Sequence, residues 1–167
     1  MDTKVIRQEL KKELGYNSRQ VSIKSKPGGY SYSFIFTIRD KNVNYDKVNE
    51  FAHKYKSVSR CEYSGEILSG GNTYITVTFS DKLKDEMENK HFLKLREWVD
   101  TVDKTDEDNS IVFDDIELVY HTEINEIRAY NRKTNEMDRF HAYKVSDWTL
   151  KDISFYLAQN QQNVEVK

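Results

Sequence analysis

The sequence of 167 residues predicts an α+β protein, and three of its features support that class. Apolar residues recur at helical spacing in several stretches, whereas between those stretches they alternate as they do in strands. Turns that contain glycine separate pairs of alternating segments, which predicts β-hairpins. Aromatic residues make up 13% of the chain, so a core can form although the hydrophobic content is only 37%.

The first eighty residues predict a unit with the element order α-β-β-α-β-β. A helix begins near Val5 and ends at Gly15. A hairpin follows, with strands over about 20–24 and 32–38 on either side of a Lys-Pro-Gly-Gly loop. A second helix covers about 44–55. A second hairpin then pairs 60–68 with 73–79 around a Ser-Gly-Gly-Asn turn.

The second half predicts a long helix, a small antiparallel sheet and a C-terminal helix. The long helix covers about 82–103, and a polar loop follows it. Residues 111–120 predict a strand that bends at Asp114-Asp115, and strands over 123–130 and 136–145 pair across a polar turn. Ser146 is suited to cap the last helix, and residues 159–167 are expected to fray.

The two halves of the chain carry opposite net charge. Residues 1–80 hold 13 Lys and Arg against 8 Asp and Glu, whereas residues 81–167 hold 13 against 20. The net charges are therefore +5 and −7. We therefore predict a basic α/β domain over 1–80 and an acidic α+β domain that binds a partner over 81–167.

Residues 100–126 contain ten carboxylates and one lysine. Carboxylates held close together on a sheet repel one another, and a basic partner that neutralises them would offset this cost. The predicted partner-binding residues, as mimics of phosphate charge, are Asp103, Asp106, Glu107, Asp108, Asp114, Asp115 and Glu117. The alternatives are an ordinary solvated surface and a cation site.

Five cations of the first half lie on or beside the first predicted hairpin, among Tyr16, Tyr30 and Tyr32. Cations next to exposed aromatic rings can hold a nucleic-acid backbone and stack its bases. The candidate nucleic-acid-binding residues are therefore Arg19, Lys24, Lys26, Arg39 and Lys41. A solvated surface, or a contact with the acidic half, is the alternative.

The sequence offers few groups for catalysis. It contains no HExxH motif, no paired cysteines and no Gly-x-Ser-x-Gly motif. His121, Glu123 and His141 lie on predicted strands that can bring them together for metal binding or acid–base chemistry, but half-exposed strand histidines are the favoured interpretation. We predict a protein without enzymatic activity, cofactor or metal.

The chain also lacks the apolar segments that direct proteins to membranes. No stretch approaches the roughly 18 apolar residues that a membrane span needs, and the first twelve residues contain no apolar signal region. The single cysteine, Cys61, excludes a disulfide within the chain. These observations predict a soluble protein of the cytoplasm with no membrane partner.

Three segments of the first half, preceded by an Arg-Gln-Glu-Leu-Lys-Lys-Glu-Leu helix, carry a resemblance to a known family. They are Val21-Ser22-Ile23-Lys24, Gly28-Gly29-Tyr30-Ser31 and Ser69-Gly70-Gly71-Asn72-Thr73-Tyr74. Residues 6–79 resemble the large polyvalent protein-associated domains of phages and conjugative elements in Gram-positive bacteria. The same kind of N-terminal region is joined to differing C-terminal parts in staphylococcal anti-CRISPR proteins.

The resemblance implies an anti-CRISPR protein that inhibits a type II-A CRISPR effector nuclease. Such effectors hold DNA in positively charged channels, so an acidic surface would compete with DNA. Clamping a nuclease domain through apolar anchors is an alternative, with Trp98, Tyr120, Tyr130 or Trp148 at its centre. Two other functions stay open: a nucleic-acid-binding accessory or regulatory protein of a mobile element, and an anti-restriction DNA mimic.

Overall fold

The computed structural model describes residues 2–68, 71–102, 109–141 and 146–165. The chain forms two compact units, which we call unit 1 and unit 2. Unit 1 contains residues 1–83 and 162–167, and unit 2 contains residues 84–161. The α+β class is confirmed, because helices and two separate sheets follow one another in nearly the predicted order.

Unit 1 is built on a three-stranded sheet. Its elements in chain order are α1 (Thr3–Leu14), β1 (Val21–Gly28), β2 (Ser31–Ile38), α2 (Tyr45–His53) and β3 (Thr73–Phe79). The strand order is β1-β2-β3, with β2 antiparallel to β1 and parallel to β3. The predicted first hairpin is confirmed, and its two-residue turn is Gly29-Tyr30.

The ends of α1 follow the local sequence. Asp2 precedes the helix, and its carboxylate accepts a hydrogen bond from the Lys4 N–H at 2.9 Å, which satisfies one free donor of the first turn. Gly15 ends the helix at φ 76°, a left-handed conformation that glycine adopts without steric cost. Ile6 and Leu10 face inward and are buried.

The predicted second hairpin is wrong. Residues 60–68 form turns instead of a strand, and the only bridge among these described residues joins Arg60 to Ile67. The Cys61 N–H donates a hydrogen bond to the Glu66 carbonyl at 2.8 Å, so this described segment bonds within itself and not to β3. β3 pairs with β2 instead, and a parallel pair needs a crossover, which here contains α2. This register aligns Ile75 with Phe34, so the apolar side chains of both strands share the helix-covered face.

Unit 2 is built on a four-stranded antiparallel sheet. Its elements, together with the helices that cross its boundaries, are α3 (Asp81–Lys90), α4 (Phe92–Thr101), β4 (Ser110–Phe113), β5 (Ile116–His121), β6 (Glu126–Asn131), β7 (Met137–His141) and α5 (Asp147–Glu165). The strand order is β4-β5-β6-β7. Buried side chains of α4, α5 and one face of this sheet form a common core that includes Leu95, Leu118, Ile127, Leu150 and Ile153.

The predicted long helix is interrupted at His91, which separates α3 from α4. The Ser154 hydroxyl of α5 lies at this break and makes two bonds. It accepts from the His91 N–H at 2.9 Å and donates to the Met87 carbonyl at 2.9 Å. Ser154 is fully buried, so it satisfies two backbone groups that the interrupted helix leaves open.

The predicted bend at Asp114-Asp115 is a two-residue hairpin turn. Phe113 pairs with Ile116 across it, and Asp114 adopts φ 51°, which aspartate tolerates better than most residues. Both Phe113 and Ile116 are buried, and they hold the ends of the turn on the core. Asp115 therefore lies in a turn and does not share a strand face with Glu117.

The predicted fraying of the last residues is wrong for the part that the structure describes. α5 continues to Glu165, and Gln162 is buried with only 6% of its surface exposed. Its side-chain amide donates a hydrogen bond to the Val43 carbonyl within unit 1. No helix in residues 2–68, 71–102, 109–141 and 146–165 combines the length and apolar character needed to cross a membrane.

The Ser154 bridge predicts a measurable loss of stability. Replacing Ser154 by Ala removes the partner of both the Met87 carbonyl and the His91 N–H. We expect the free energy of unfolding, from urea denaturation, to fall by about 1–3 kcal/mol. Asp152→Ala, an exposed change on the same helix, serves as control and is expected to change stability by less than about 0.5 kcal/mol. Equal stability of the two variants would show that the bridge contributes nothing.

Candidate functional site

Three of the seven predicted acidic site residues lie together at one end of the unit 2 sheet. Asp114 and Asp115 form the β4–β5 turn, and Glu117 follows in β5. We call these three carboxylates the acidic tip. The other four predicted residues lie outside the described part of the chain: Asp103, Asp106, Glu107 and Asp108.

Every carboxylate of the acidic tip has a partner within unit 2. Asp115 forms an ion pair with the Lys133 ammonium, and the Glu117 carboxylate lies 3.0 Å from Nη2 of Arg132. Asp114 accepts a hydrogen bond from the side-chain amide of Gln161. The β6–β7 turn, which supplies both cations, is held by Asn131, whose side chain accepts from the Lys133 N–H at 3.0 Å.

The cations of the two ion pairs are exposed, whereas their carboxylates are partly covered. The exposed fraction of the side chain is 60% for Lys133 and 55% for Arg132, against 38% for Asp115 and 29% for Glu117. Ion pairs at such exposure contribute about 0–1 kcal/mol each. A partner that brings its own cations can therefore displace Lys133 and Arg132 at small cost.

Asp114 also belongs to a short polar chain that ends at His91. The Gln161 side chain joins the two residues: its amide nitrogen donates to Asp114, and its amide oxygen lies 2.9 Å from Nε2 of His91. Burial lowers the pKa of His91, and Lys90 and Lys94 lower it further, while the Gln161 bond and Asp114 oppose the shift. Folding therefore favours the neutral imidazole.

The aromatic residues proposed as anchors differ in their exposure. Trp98 and Tyr120 form an edge-to-face pair with ring centroids 6.4 Å apart, and both pack against the unit 2 core. Tyr130 is half-buried on β6. Trp148, in the first turn of α5, is 79% exposed, so it is the one member of this set that the structure leaves open to a partner.

The five predicted basic site residues fall into two groups on unit 1. Lys24 and Lys26 lie on β1 and are exposed. Arg19, Arg39 and Lys41 are also exposed, but they lie where β1 begins and β2 ends.

One of the three tyrosines expected among these cations is not exposed. Tyr16 is 9% exposed, and its hydroxyl accepts a hydrogen bond from the Asn44 N–H at 3.1 Å. Tyr30 and Tyr32, in contrast, are 86% and 56% exposed. The expectation that all three tyrosines are available is therefore wrong for Tyr16.

The histidines considered for metal binding align differently than expected. In the register of the sheet, Glu126 is opposite both His121 and His141, whereas Glu123 lies in the β5–β6 turn. Glu126 accepts a hydrogen bond from Nε of Arg128 at 2.6 Å. Among the described side chains, no group of three His, Cys, Asp or Glu residues is placed to hold a metal ion.

Arg132, Lys133 and Gln161 are site residues that the sequence reasoning missed. The sequence predicts only a polar turn for the first two, although β6, which they follow, is the neighbour of β5 in a meander. Comparison of the chain with family models, curated proteins and solved structures finds no match.

The lowered pKa of His91 predicts a pH dependence of stability. When the pH falls below the usual histidine pKa of about 6.5, the unfolded chain binds a proton that the folded His91 resists, so stability falls. We expect the free energy of unfolding to drop between pH 7.5 and 5.5, and His91→Gln to reduce that drop. His53→Gln, an exposed histidine, is the control. An unchanged pH slope in His91→Gln would contradict this assignment.

Proposed function

We propose that the protein is a non-enzymatic inhibitor that binds a type II-A CRISPR effector nuclease through the acidic tip. The observation that carries the proposal is the placement of Asp114, Asp115 and Glu117 on one tight hairpin. The buried residues Phe113 and Ile116 fix both ends of the turn. A rigid hairpin presents its charges without a large cost of ordering on binding.

The charges around the tip favour a basic partner. Three carboxylates face two cations, and both cations come from exposed side chains that can move away. An effector nuclease keeps a positively charged channel for its heteroduplex and reads the flanking DNA motif with arginines. Arginine binds a carboxylate through two parallel hydrogen bonds, which makes it a strong competitor of Lys133 for Asp115.

The resemblance of residues 6–79 supports the choice of target. The mechanism that follows is competition: an acidic tip in the DNA channel excludes target DNA when the inhibitor is bound first. DNA that is already bound would occupy the same channel, so later addition of the inhibitor is expected to have little effect.

The second mechanism is a clamp on a nuclease domain, and an exposed aromatic side chain supports it. Trp148 is 79% exposed, and Leu93 on α4 is 74% exposed. Arg96, one turn from Leu93, contacts Asp147 at 2.7 Å, next to Trp148. Large exposed apolar side chains of this kind are typical anchors of protein interfaces.

Neutralising the acidic tip tests the proposal directly. In the variant Asp114→Asn, Asp115→Asn and Glu117→Gln, shape is kept and Asn is suited to the positive φ of residue 114. We expect its half-inhibitory concentration to rise about tenfold or more in DNA cleavage by a staphylococcal type II-A effector, when inhibitor is added before target DNA. The matched control Glu97→Gln, Glu123→Gln and Asp152→Asn has the same net charge and should inhibit normally.

The order of addition and a Trp148 variant separate the two mechanisms. Inhibition only when the protein precedes DNA, lost in the acidic-tip variant, supports competition. Inhibition in both orders, lost in Trp148→Ala but kept in the acidic-tip variant, replaces competition by the clamp. If the acidic-tip variant and its matched control lose inhibition equally, the effect is one of net charge, and a specific role of the acidic tip is contradicted.

A further inference from the structure

The three-stranded sheet of unit 1 has one face that the helices do not use. Alternate residues of β1, β2 and β3 lie on this face. They are Ser22, Lys24, Lys26, Ser33, Ile35, Thr37, Tyr74, Thr76 and Thr78. We call this set the outer face. Five of the nine are exposed and four are half-buried, so none is part of the core.

The composition of the outer face is unusual for a chain so rich in carboxylates. It contains two lysines, five Ser or Thr residues, one isoleucine and one tyrosine, and no Asp or Glu. Within the described part of the chain, neither Lys24 nor Lys26 forms an ion pair. These ammonium groups keep their counterions until a polyanion displaces them.

The register places the cations and an aromatic ring in fixed relation. Lys26, Ser33 and Tyr74 are aligned across the three strands, and Lys24, Ile35 and Thr76 form the next row on the same face. The two rows lie about 7 Å apart along the strands, and adjacent strands lie about 4.8 Å apart. A chain that crosses the sheet can therefore contact an ammonium group on β1 and a ring on β3, about 9.6 Å apart across β2.

One further tyrosine, Tyr30, extends the aromatic surface beyond the edge of the outer face. Tyr30 forms the β1–β2 turn, and its carbonyl accepts from the Gly71 N–H at 2.7 Å. Tyr32 donates its N–H to the Asn72 carbonyl at 2.9 Å. These bonds fix the turn beside the start of β3, so Tyr30 is exposed at the same end of the sheet as Tyr74, whereas Tyr32 alternates onto the opposite face with Phe34.

We propose that the outer face binds single-stranded nucleic acid. Lysines contact the phosphates, Tyr74 and the neighbouring Tyr30 stack on bases, and the Ser and Thr hydroxyls can donate to phosphate or sugar oxygens. The absence of carboxylates from the face removes the repulsion that elsewhere on this chain would oppose a polyanion. Unpaired bases are required, because a duplex hides the base surfaces that tyrosine stacks on.

The first experiment uses the full chain and fluorescein-labelled 15-nucleotide probes, dT15 and rU15, in fluorescence anisotropy from 50 to 200 mM salt. For Lys24→Gln with Lys26→Gln, we expect at least a tenfold loss of affinity. The slope of log affinity against log salt should flatten by about 1.4, since each phosphate contact on a single strand contributes about 0.7. The charge-matched control Lys11→Gln with Lys56→Gln should keep both values.

A second variant, Tyr74→Thr, keeps strand propensity and removes the ring. We expect a loss of about fivefold or more at every salt concentration with no change of slope, because stacking releases no counterions. A merely structural role of Tyr74 would instead lower the melting temperature. A preference for dT15 or for rU15 identifies the natural strand as DNA or RNA, and both results support the proposal.

Several results would overturn the proposal. They are no binding of either probe at 50 mM salt, equal loss in the control lysine variant, or tighter binding to a duplex of the same length. Loss of nuclease inhibition by the outer-face variants without probe binding would assign the face to a protein partner. Because the probe assay contains no effector, its outcome is independent of the inhibition proposed above.

Discussion

Each sheet of this protein buries one face under helices, and this one-sided burial determines which side chains can act on a partner. In unit 1, Phe34, Phe36 and Ile38 fill the helix side, so the alternate positions must face away from the core. In unit 2, Leu118 and Ile127 are buried in the same way. Stability thus fixes the partition between core and surface before any binding function is considered.

The same constraint explains how the acidic residues are arranged. Because side chains alternate along β5, Glu117 lies on the face opposite Leu118. In the strand order β4-β5-β6-β7, the β6–β7 turn lies beside the β4–β5 turn. Arg132 and Lys133 therefore contact carboxylates that precede them by 15 and 18 residues in the chain. The repulsion expected along the acidic stretch is reduced by cations that lie outside it.

Local patterns were sufficient to predict both the α+β class and the first hairpin, because helix periodicity and glycine turns act over a few residues. Pairings between distant segments were not predictable in this way. β3 carries an alternating pattern that fits an antiparallel or a parallel neighbour, and only the crossover decides between them. The helix break at His91 depends on Ser154, 63 residues away. Of the site, the sequence indicated the carboxylates but not their partners.

Net charge along a segment is consequently a poor measure of the charge that a partner meets. The acidic tip arises from the strongest charge signal in the sequence, yet both of its ion pairs must open before a partner can bind Asp115 or Glu117. Lys24 and Lys26 arise from a weak signal, yet they lie on a face without carboxylates. A partner that binds Asp115 must therefore offer a better cation than Lys133, and a fork of arginine donors meets that requirement. The outer face needs only a polyanion that displaces loosely held counterions.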